Sequence, residues 1–269
     1  MKLKVTTING DLTPSPNGRR IEPVCVEPTE HASYVRGMHG ATAELASARG
    51  VILLYQNSAM RRLVTAEPEW QPQHWVSGDL RTLQHARGTV AVCGGFGIGS
   101  PATALVAEQL IALGARRIIA IGTAGTLQAD VAIGDKVLCD RAVRAEGVSG
   151  HYWEPAKYAY ASSELTNKFK ETLRRCGTSV STGTSWTTDA PYRETRREAD
   201  EHAKEGVLTV EMEAASLFTV CRYRNVECAT AFSISDSVVR GQRGPRERSG
   251  ITADSLDVLI RNAVTTLLG

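Results

Sequence analysis

The segment VEMEAA, residues 210–215, contains two carboxylates, Glu211 and Glu213, at the predicted start of a helix. This pattern has two interpretations. Acidic side chains in the first turn of a helix stabilise the positive end of its dipole, which is a structural role. A carboxylate also binds a diol, because its two oxygens accept hydrogen bonds from both hydroxyls. Taken alone, the segment favours the structural role.

A third acid, Asp236, lies in the segment SISDS, residues 233–237, where an apolar strand ends. An aspartate in this position commonly caps the following helix, and Asp236 taken alone favours that role. Its interpretation changes when all the polar segments are considered together.

Two glycine turns follow neighbouring predicted strands. GGFGIGSP, residues 94–101, comes directly after the strand Thr89–Cys93, and GTAGT, residues 122–126, comes after Arg117–Ile121. Glycine lets the backbone approach a ligand closely, and the helix that starts at Ser100 offers free N–H groups. Glycine turns also serve packing alone, but two of them on adjacent strands line the same edge of a sheet. They favour a binding site at that edge.

Apolar, β-branched runs that alternate with helical patterns must position these segments. Strands are predicted at Pro23–Val26, Val51–Tyr55, Thr89–Cys93, Arg117–Ile121, Lys136–Cys139 and Cys228–Ile234. Helices are predicted from Ser100 to about Gly114, from about Met212 to Tyr223 and from about Ala253 to Leu268. The alternation predicts an α/β fold around a mixed, largely parallel central sheet. Few apolar residues lie in Arg240–Gly250, which predicts a mobile loop.

Composition excludes several classes of protein. The chain has 269 residues, 42% of them hydrophobic, and a formal net charge of +2, which does not fit a disordered protein. Its basic residues are scattered, so no nucleic acid or membrane surface is predicted as a partner. No apolar run is long enough for a signal peptide or a membrane span, which predicts a cytoplasmic protein.

The six cysteines and six histidines show no metal-ligand spacing. Several cysteines lie in apolar, strand-like runs such as VAVC and KVLC, which is typical of small buried side chains in a reducing compartment. We therefore predict neither a disulfide framework nor a metal site.

Six motifs, taken in order, resemble the nucleoside phosphorylase family of purine nucleoside phosphorylases, uridine phosphorylases and related nucleosidases. They are GGFGIGSPATALVAEQLIALGA, IGTAGTLQADVAIGDKVL, RAEGVSGHYW, SWTTDAPYRET, VEMEAASLF and SISDS. The resemblance runs from about Pro23 to the C-terminus. It implies an N-terminal extension over residues 1–20 and one phosphorylase-like domain over 21–269, built as a three-layer α/β/α sandwich.

The resemblance assigns the sugar site to four residues. It implies that Glu213 binds the ribose 2′ and 3′ hydroxyls, that Met212 packs against the sugar and that Glu211 lies close by. Phe96 stands where the family usually has a methionine facing the sugar, and it remains an apolar wall.

The resemblance also assigns the base and the nucleophile. Asp236, beside Ser235, matches the acid that protonates or hydrogen-bonds a purine, because cleavage leaves negative charge on the base. Tyr192 is placed in the base pocket, next to Pro191 in the position of a stacking phenylalanine. Thr123 and Gly122 are placed at the phosphate. The implied activity is phosphorolysis of a purine or general nucleoside to free base and ribose 1-phosphate.

Two departures from the family affect the phosphate site. Ala120 replaces the arginine before the GT turn, and the resemblance places Val26-Glu27-Pro28-Thr29-Glu30 where the family reads GDPxR. Losing such cations should cost several kcal/mol of phosphate binding, at about 1.5–3 kcal/mol per charged hydrogen bond. The alternatives are therefore a nucleosidase that uses water and a nucleoside-binding protein without catalysis.

Assembly and cofactors follow from the resemblance as well. It implies a homo-oligomer, a dimer or a hexamer, with sites shared between subunits. It implies no organic cofactor, because a glycosyl group moves without redox chemistry, and inorganic phosphate is the co-substrate of a phosphorylase.

Overall fold

Ten strands and eight helices form the part of the chain that the computed structural model describes, which is residues 24–39, 45–73, 75, 77–238 and 249–269. The strands are β1 Ala48–Leu54, β2 Gln71–Gln73, β3 Asp79–His85, β4 Gly88–Gly94, β5 Arg117–Thr126, β6 Lys136–Ala145, β7 Tyr158–Tyr160, β8 Ser181–Thr188, β9 Thr209–Glu211 and β10 Glu227–Ser237. The helices are α1 Pro28–His39, α2 Asn57–Ala66, α3 Ser100–Ala112, α4 Ser149–Tyr152, α5 Ser163–Arg175, α6 Arg196–Lys204, α7 Ala214–Tyr223 and α8 Ser249–Leu268.

Strand β5 is the centre of one mixed sheet. It pairs in parallel with β1 and β10, and its last two residues pair antiparallel with β9. Strands β10, β6, β8 and β9 then pair in turn, so these four and β5 close into a ring. Strands β1, β4, β3 and β2 extend from β5 as an open wing. The polar ends of β5, β9 and β10 therefore meet at one place.

Helices cover both faces of the sheet, as alternate residues of β1 show. Val51 and Leu53 lie in the apolar cluster that α3 and α7 share, whereas Ile52 and Leu54 lie in the cluster of α2, α5 and α8. Successive side chains of a strand point to opposite faces, so the two clusters are the two outer layers. This arrangement confirms the predicted α/β sandwich around a mixed sheet.

Five of the six predicted strands are confirmed, as β1, β4, β5, β6 and β10. The predicted strand Pro23–Val26 was wrong. Val24, Cys25 and Val26 are exposed and form no strand, and α1 begins at Pro28. Their exposure removes the burial that stabilises an apolar strand; Pro23 lies outside the described residues. The first strand of the sheet is β1, so the turn at its end is formed by Tyr55 and Gln56, directly before α2.

Three predicted helices are confirmed as α3, α7 and α8, and α8 begins earlier than expected, at Ser249. Of the predicted loop Arg240–Gly250, residues 240–248 lie outside the described part of the chain, and Ser249 and Gly250 are helical. None of the described helices is long and apolar enough to span a membrane. Within the described residues, no cluster of histidine, cysteine and acidic side chains has the geometry to hold a metal ion.

Candidate active site

The N-termini of α3 and α7 are tied together at the first glycine turn. The amide N–H of Gly99 donates to Glu213 Oε1 at 2.6 Å, and Ser100 Oγ donates to the carbonyl oxygen of Met212 at 2.9 Å. Gly99 has a φ of +87°, a backbone conformation that residues other than glycine rarely adopt. The turn therefore needs glycine there, and it fixes the Glu213 carboxylate beside the start of α3.

Glu211 holds the start of α7 from inside. Its Oε1 accepts from Ser185 Oγ at 3.1 Å and from Thr187 Oγ1 at 2.5 Å. Its Oε2 accepts from the backbone amides of Glu213 and Ala214 at 2.8 and 2.7 Å. All of its principal acceptor positions are used within the chain. Glu211 thus positions the segment that carries Glu213. Each oxygen of Glu213 accepts one backbone amide, from Gly99 and from Met212 at 3.3 Å, so Glu213 retains acceptor positions for a ligand.

Burial changes the ionisation of this acid pair. Burial first, and then the nearby charge of Glu211, raise the pKa of Glu213 to about 8, against the hydrogen bond that the Gly99 amide donates to it. Burial also raises the pKa of Glu211, against the hydrogen bonds that Thr187 and the α7 amides donate to it. Four donors favour the charged form of Glu211. Without a ligand, Glu213 is the member of the pair that holds a proton near neutral pH.

We expect Glu211→Gln to destabilise the fold. The glutamine NH₂ group would face N–H or O–H donors, leaving buried polar groups unpaired at about 1–3 kcal/mol each. The free energy of unfolding, measured by urea denaturation, should fall by about 2–3 kcal/mol. Glu201→Gln, on the exposed face of α6, is the control and should change it by less than about 0.5 kcal/mol. Equal effects for the two variants would contradict the structural role of Glu211.

Asp236 lies at a bulge near the end of β10, opposite Gly125 of β5. Ser235 Oγ donates to Asp236 Oδ1 at 2.8 Å and orients the carboxylate. A Cβ atom at Gly125 would lie 3.2 Å from Asp236 Oδ2 and 3.3 Å from Val210 Cγ1. Gly125 therefore lets β9 and β10 approach β5 from opposite sides, which brings Asp236 and the Glu211–Glu213 segment to one edge.

The second glycine turn adjoins a small aromatic wall. Tyr55 contacts Phe96 edge to face, with ring centroids 5.6 Å apart, and a Cβ at Gly122 would lie 3.1 Å from the Tyr55 ring. Gln56 Nε2 donates to Thr123 Oγ1 at 2.9 Å. The sequence analysis missed Tyr55 and Gln56 as site residues. Their position, at the last residue of the predicted strand Val51–Tyr55 and directly after it, was the available signal.

The structure does not bring Tyr192 together with the other predicted site residues. It lies in a 3₁₀ turn, Pro191–Arg193, and its side chain is 99% exposed. The motif that contains Tyr192, SWTTDAPYRET, does contact the motif RAEGVSGHYW, because Asp189 Oδ2 accepts a hydrogen bond from the amide of Gly147 at 2.8 Å. The structure of the single chain thus supports a contact between RAEGVSGHYW and SWTTDAPYRET, and it gives no support to a buried base pocket at Tyr192.

A cavity of about 650 Å³ lies apart from these residues, between α2 and α8. Arg61, Arg62 and Arg261 line it, and Arg62 pairs with Asp257 at 2.8 Å. None of the site residues predicted from the sequence lines this cavity.

Comparison with known proteins identifies the family of this chain. The model of the Phosphorylase superfamily matches residues 56–266. A DeoD-type purine nucleoside phosphorylase from Exiguobacterium sp. (strain ATCC BAA-1283 / AT1b) is 30% identical over 174 residues, or 64% of this chain and 72% of that protein. A uridine phosphorylase from Thermococcus kodakarensis is 28% identical over 179 residues, 61% of this chain and 65% of that protein.

The solved structure of a uridine phosphorylase from Vibrio fischeri ES114 superposes with a TM-score of 0.70 at 24% identity. The superposition covers 86% of this chain and 95% of that one, which shows a shared fold. The family match begins at Gln56, directly after β1, and includes both glycine turns, Glu213 and Asp236. The chain therefore belongs to the Phosphorylase superfamily.

Proposed function

We propose that this chain is an enzyme that cleaves the N-glycosidic bond of a nucleoside. The observation that carries the proposal is that β9, which leads into Glu213, and β10, which carries Asp236, approach Gly125 from opposite sides. One carboxylate suits the sugar hydroxyls and the other suits the base. The names of the relatives, which are purine nucleoside, guanosine and uridine phosphorylases, support the same substrate class.

In the proposed mechanism Glu213 accepts hydrogen bonds from the ribose 2′ and 3′ hydroxyls while Met212 and Phe96 pack against the sugar. The C1′–N bond breaks through an oxocarbenium-like state, and its electron pair leaves with the base. Asp236, oriented by Ser235, donates a proton or a hydrogen bond to that base, which neutralises the developing negative charge. An acid in this position supports a purine-like leaving group. Tyr192 as a base contact stays a prediction.

Two nucleophiles, phosphate and water, are compatible with this cleavage of the C1′–N bond. The phosphorylase relatives support phosphate, bound near Thr123 and Gly122, with ribose 1-phosphate as the product. Ala120, fully buried where the family has an arginine, favours water and free ribose instead. Water is therefore the second candidate.

Product analysis tests the proposal. The purified chain is incubated with inosine, adenosine, guanosine and uridine, with and without phosphate, and the base and sugar products are separated by chromatography. Release of a free base supports glycosidic cleavage, and the sugar product identifies the nucleophile. Tight binding without turnover of any nucleoside would contradict the proposal in favour of a binding protein.

The proposal includes the remaining sequence-based expectations. These are one domain over residues 21–269, a cytoplasmic location, a homo-oligomer with shared sites and the lack of an organic cofactor. Glycosyl transfer between a base and an oxygen nucleophile involves no change of oxidation state, so the chemistry needs no redox group.

We expect nucleoside binding to release a proton and to strengthen as pH rises toward 8. The pKa of Glu213, raised to about 8 by burial, leaves the free protein protonated there below that pH. Two ribose hydroxyls donate to the charged form, so binding lowers this pKa and expels the proton. Above pH 8 the affinity should level off. Calorimetry in buffers of different ionisation enthalpy measures the proton release.

A pH-independent affinity between 6 and 8 would contradict ligand binding by Glu213. Glu213→Gln provides the control, since this variant has no proton to release and should bind with a pH profile that lacks the rise.

A further inference from the structure

The first turn of the sheet contains Gln56, a residue that the family resemblance does not assign, in a polar pair with Thr123, which the resemblance places at the phosphate. Gln56 follows β1, and its Nε2 donates to Thr123 Oγ1 of β5 at 2.9 Å. Gln56 Oε1 is buried and has no hydrogen-bond partner among the described residues. A buried acceptor without a partner is costly, so a donor from a ligand would stabilise it.

The pair lies near Asp236, the proposed acid. Thr123 and Gly125 are two residues apart on β5, so their Cβ directions lie on the same face, about 6.5 Å apart along the strand. Gly125 is the residue that Asp236 faces. Since Thr123 Oγ1 already accepts a hydrogen bond from Gln56, its own O–H is free to donate toward the same space. The pair thus offers one donor and one acceptor next to the bond to be broken.

The positions that would bind a phosphate dianion carry apolar residues. Ala120, in the strand before the second glycine turn, is fully buried. Because β1 is the first strand of the sheet, the GDPxR pattern falls on Gln56–Met60, and not on Val26–Glu30 as the sequence alignment had placed it. Its arginine position is Met60, which is buried in the core beside α8. Arg61, one residue further, lines the cavity between α2 and α8.

The local charge is negative. The pKa of Tyr55, the neighbour of Gln56, is raised by burial and then by the charges of Glu213 and Glu211. A dianion would be repelled by the charge of Glu211 and would meet the lone pairs of Gln56 Oε1. A neutral molecule with an O–H group fits both the charge and the unpaired acceptor.

We infer that Gln56 and Thr123 form a neutral nucleophile subsite that holds water, so that the chain hydrolyses nucleosides. This inference rests on the proposed function and names its nucleophile. The water donates to Gln56 Oε1 and accepts from the Thr123 hydroxyl, which leaves a lone pair for C1′. The C–O bond forms as the C1′–N bond breaks, and the base leaves with the electron pair and a proton from Asp236. The proton that the attacking water loses replaces the one on Asp236, giving free ribose and free base.

Product identity in the wild type is the first test. A nucleoside that the chain cleaves should give free ribose at the same rate with and without phosphate. Methanol added to the reaction should give the methyl riboside alongside ribose, because another neutral O–H nucleophile fits the subsite. Ribose 1-phosphate as the product, with a rate that saturates in phosphate, would overturn the inference and leave the proposed function standing. Cleavage of no nucleoside in either buffer would overturn both.

Variants of the pair give the second test. Gln56→Met and Thr123→Val are expected to lower kcat by about 10- to 100-fold, as the loss of one or two hydrogen bonds to the nucleophile would. KM should stay within about twofold, since the contacts of Glu213 and Asp236 remain. Gln56→Glu keeps the acceptor and should lose less activity than Gln56→Met.

The matched control is Gln84→Met. Gln84 also pairs with a threonine, although here Gln84 Oε1 accepts from Thr89 Oγ1, at 2.7 Å, on the exposed surface where β3 and β4 begin to pair. It should leave kcat unchanged. A decrease in kcat no larger for Gln56→Met than for this control would overturn the inference without any reference to stability.

Discussion

Asp236→Asn is expected to lower kcat by about 10²–10⁴-fold on an ordinary purine nucleoside, the range that a general acid contributes. The asparagine keeps the size of the side chain and the hydrogen bond from Ser235 Oγ to the equivalent oxygen, which is 2.8 Å long in the wild type. It has no acidic proton to give to the departing base. Steady-state kinetics of base release measures the loss, and circular dichroism checks the fold.

A substrate that needs no acid separates chemistry from structure. The N7 atom of 7-methylguanosine is already alkylated, so its base leaves without protonation, and Asp236→Asn should lose much less activity on it than on guanosine. Asp254→Asn, on the exposed face of α8, is the control and should be as active as the wild type. An equal loss on both substrates would remove Asp236 from the role of proton donor.

Hydrophobic runs located the strands that the core buries on both faces. Strands β1, β4, β5, β6 and β10 each contain a run of apolar residues that is fully buried, such as Ile118–Ile121, and the sequence predicted all five. Strand β8 reads STGTSWTT and was missed. Its buried residues are mostly hydroxyl side chains, because Ser185 and Thr187 bind the buried Glu211. Periodicity of apolar residues cannot reveal a strand whose inner face is polar.

The motifs located the candidate site, but not the division of work within it. Glu211 and Glu213 are two residues apart, and nothing in the local sequence shows which carboxylate has its acceptor positions filled by donors of the same chain. Two of the donors to Glu211 come from β8, a strand that the sequence pattern did not predict. In the same way, the short run Pro23–Val26 resembled a first strand, and this error placed the family pattern GDPxR on Val26–Glu30 and away from Gln56. Only the pairing of β1 with β4 and β5 corrected it.

Glu213→Gln is expected to lower kcat/KM for ribonucleosides by about 10²–10³-fold. Hydrogen bonds from two ribose hydroxyls to a charged carboxylate contribute about 1.5–3 kcal/mol each, and the neutral amide loses most of that as well as one acceptor. The Gly99 amide, 2.6 Å from Glu213 Oε1 in the wild type, still finds an acceptor in the glutamine oxygen, so the turn before α3 should keep its shape. Kinetics on the best ribonucleoside of the panel measures the change.

Nucleosides without the diol show whether the loss comes from the sugar. The wild type should cleave the 2′,3′-dideoxynucleoside poorly, and Glu213→Gln should lower that remaining activity only a few-fold, because the contacts it removes are already missing from the substrate. Glu164→Gln, at the exposed start of α5, is the matched control for a glutamate at a helix N-terminus and should change neither activity. If Glu213→Gln reduced both substrates equally, the carboxylate would act on the shape of the site and not on the ribose. Glu211→Gln cannot substitute for this experiment, since its four hydrogen bonds hold the same segment in place.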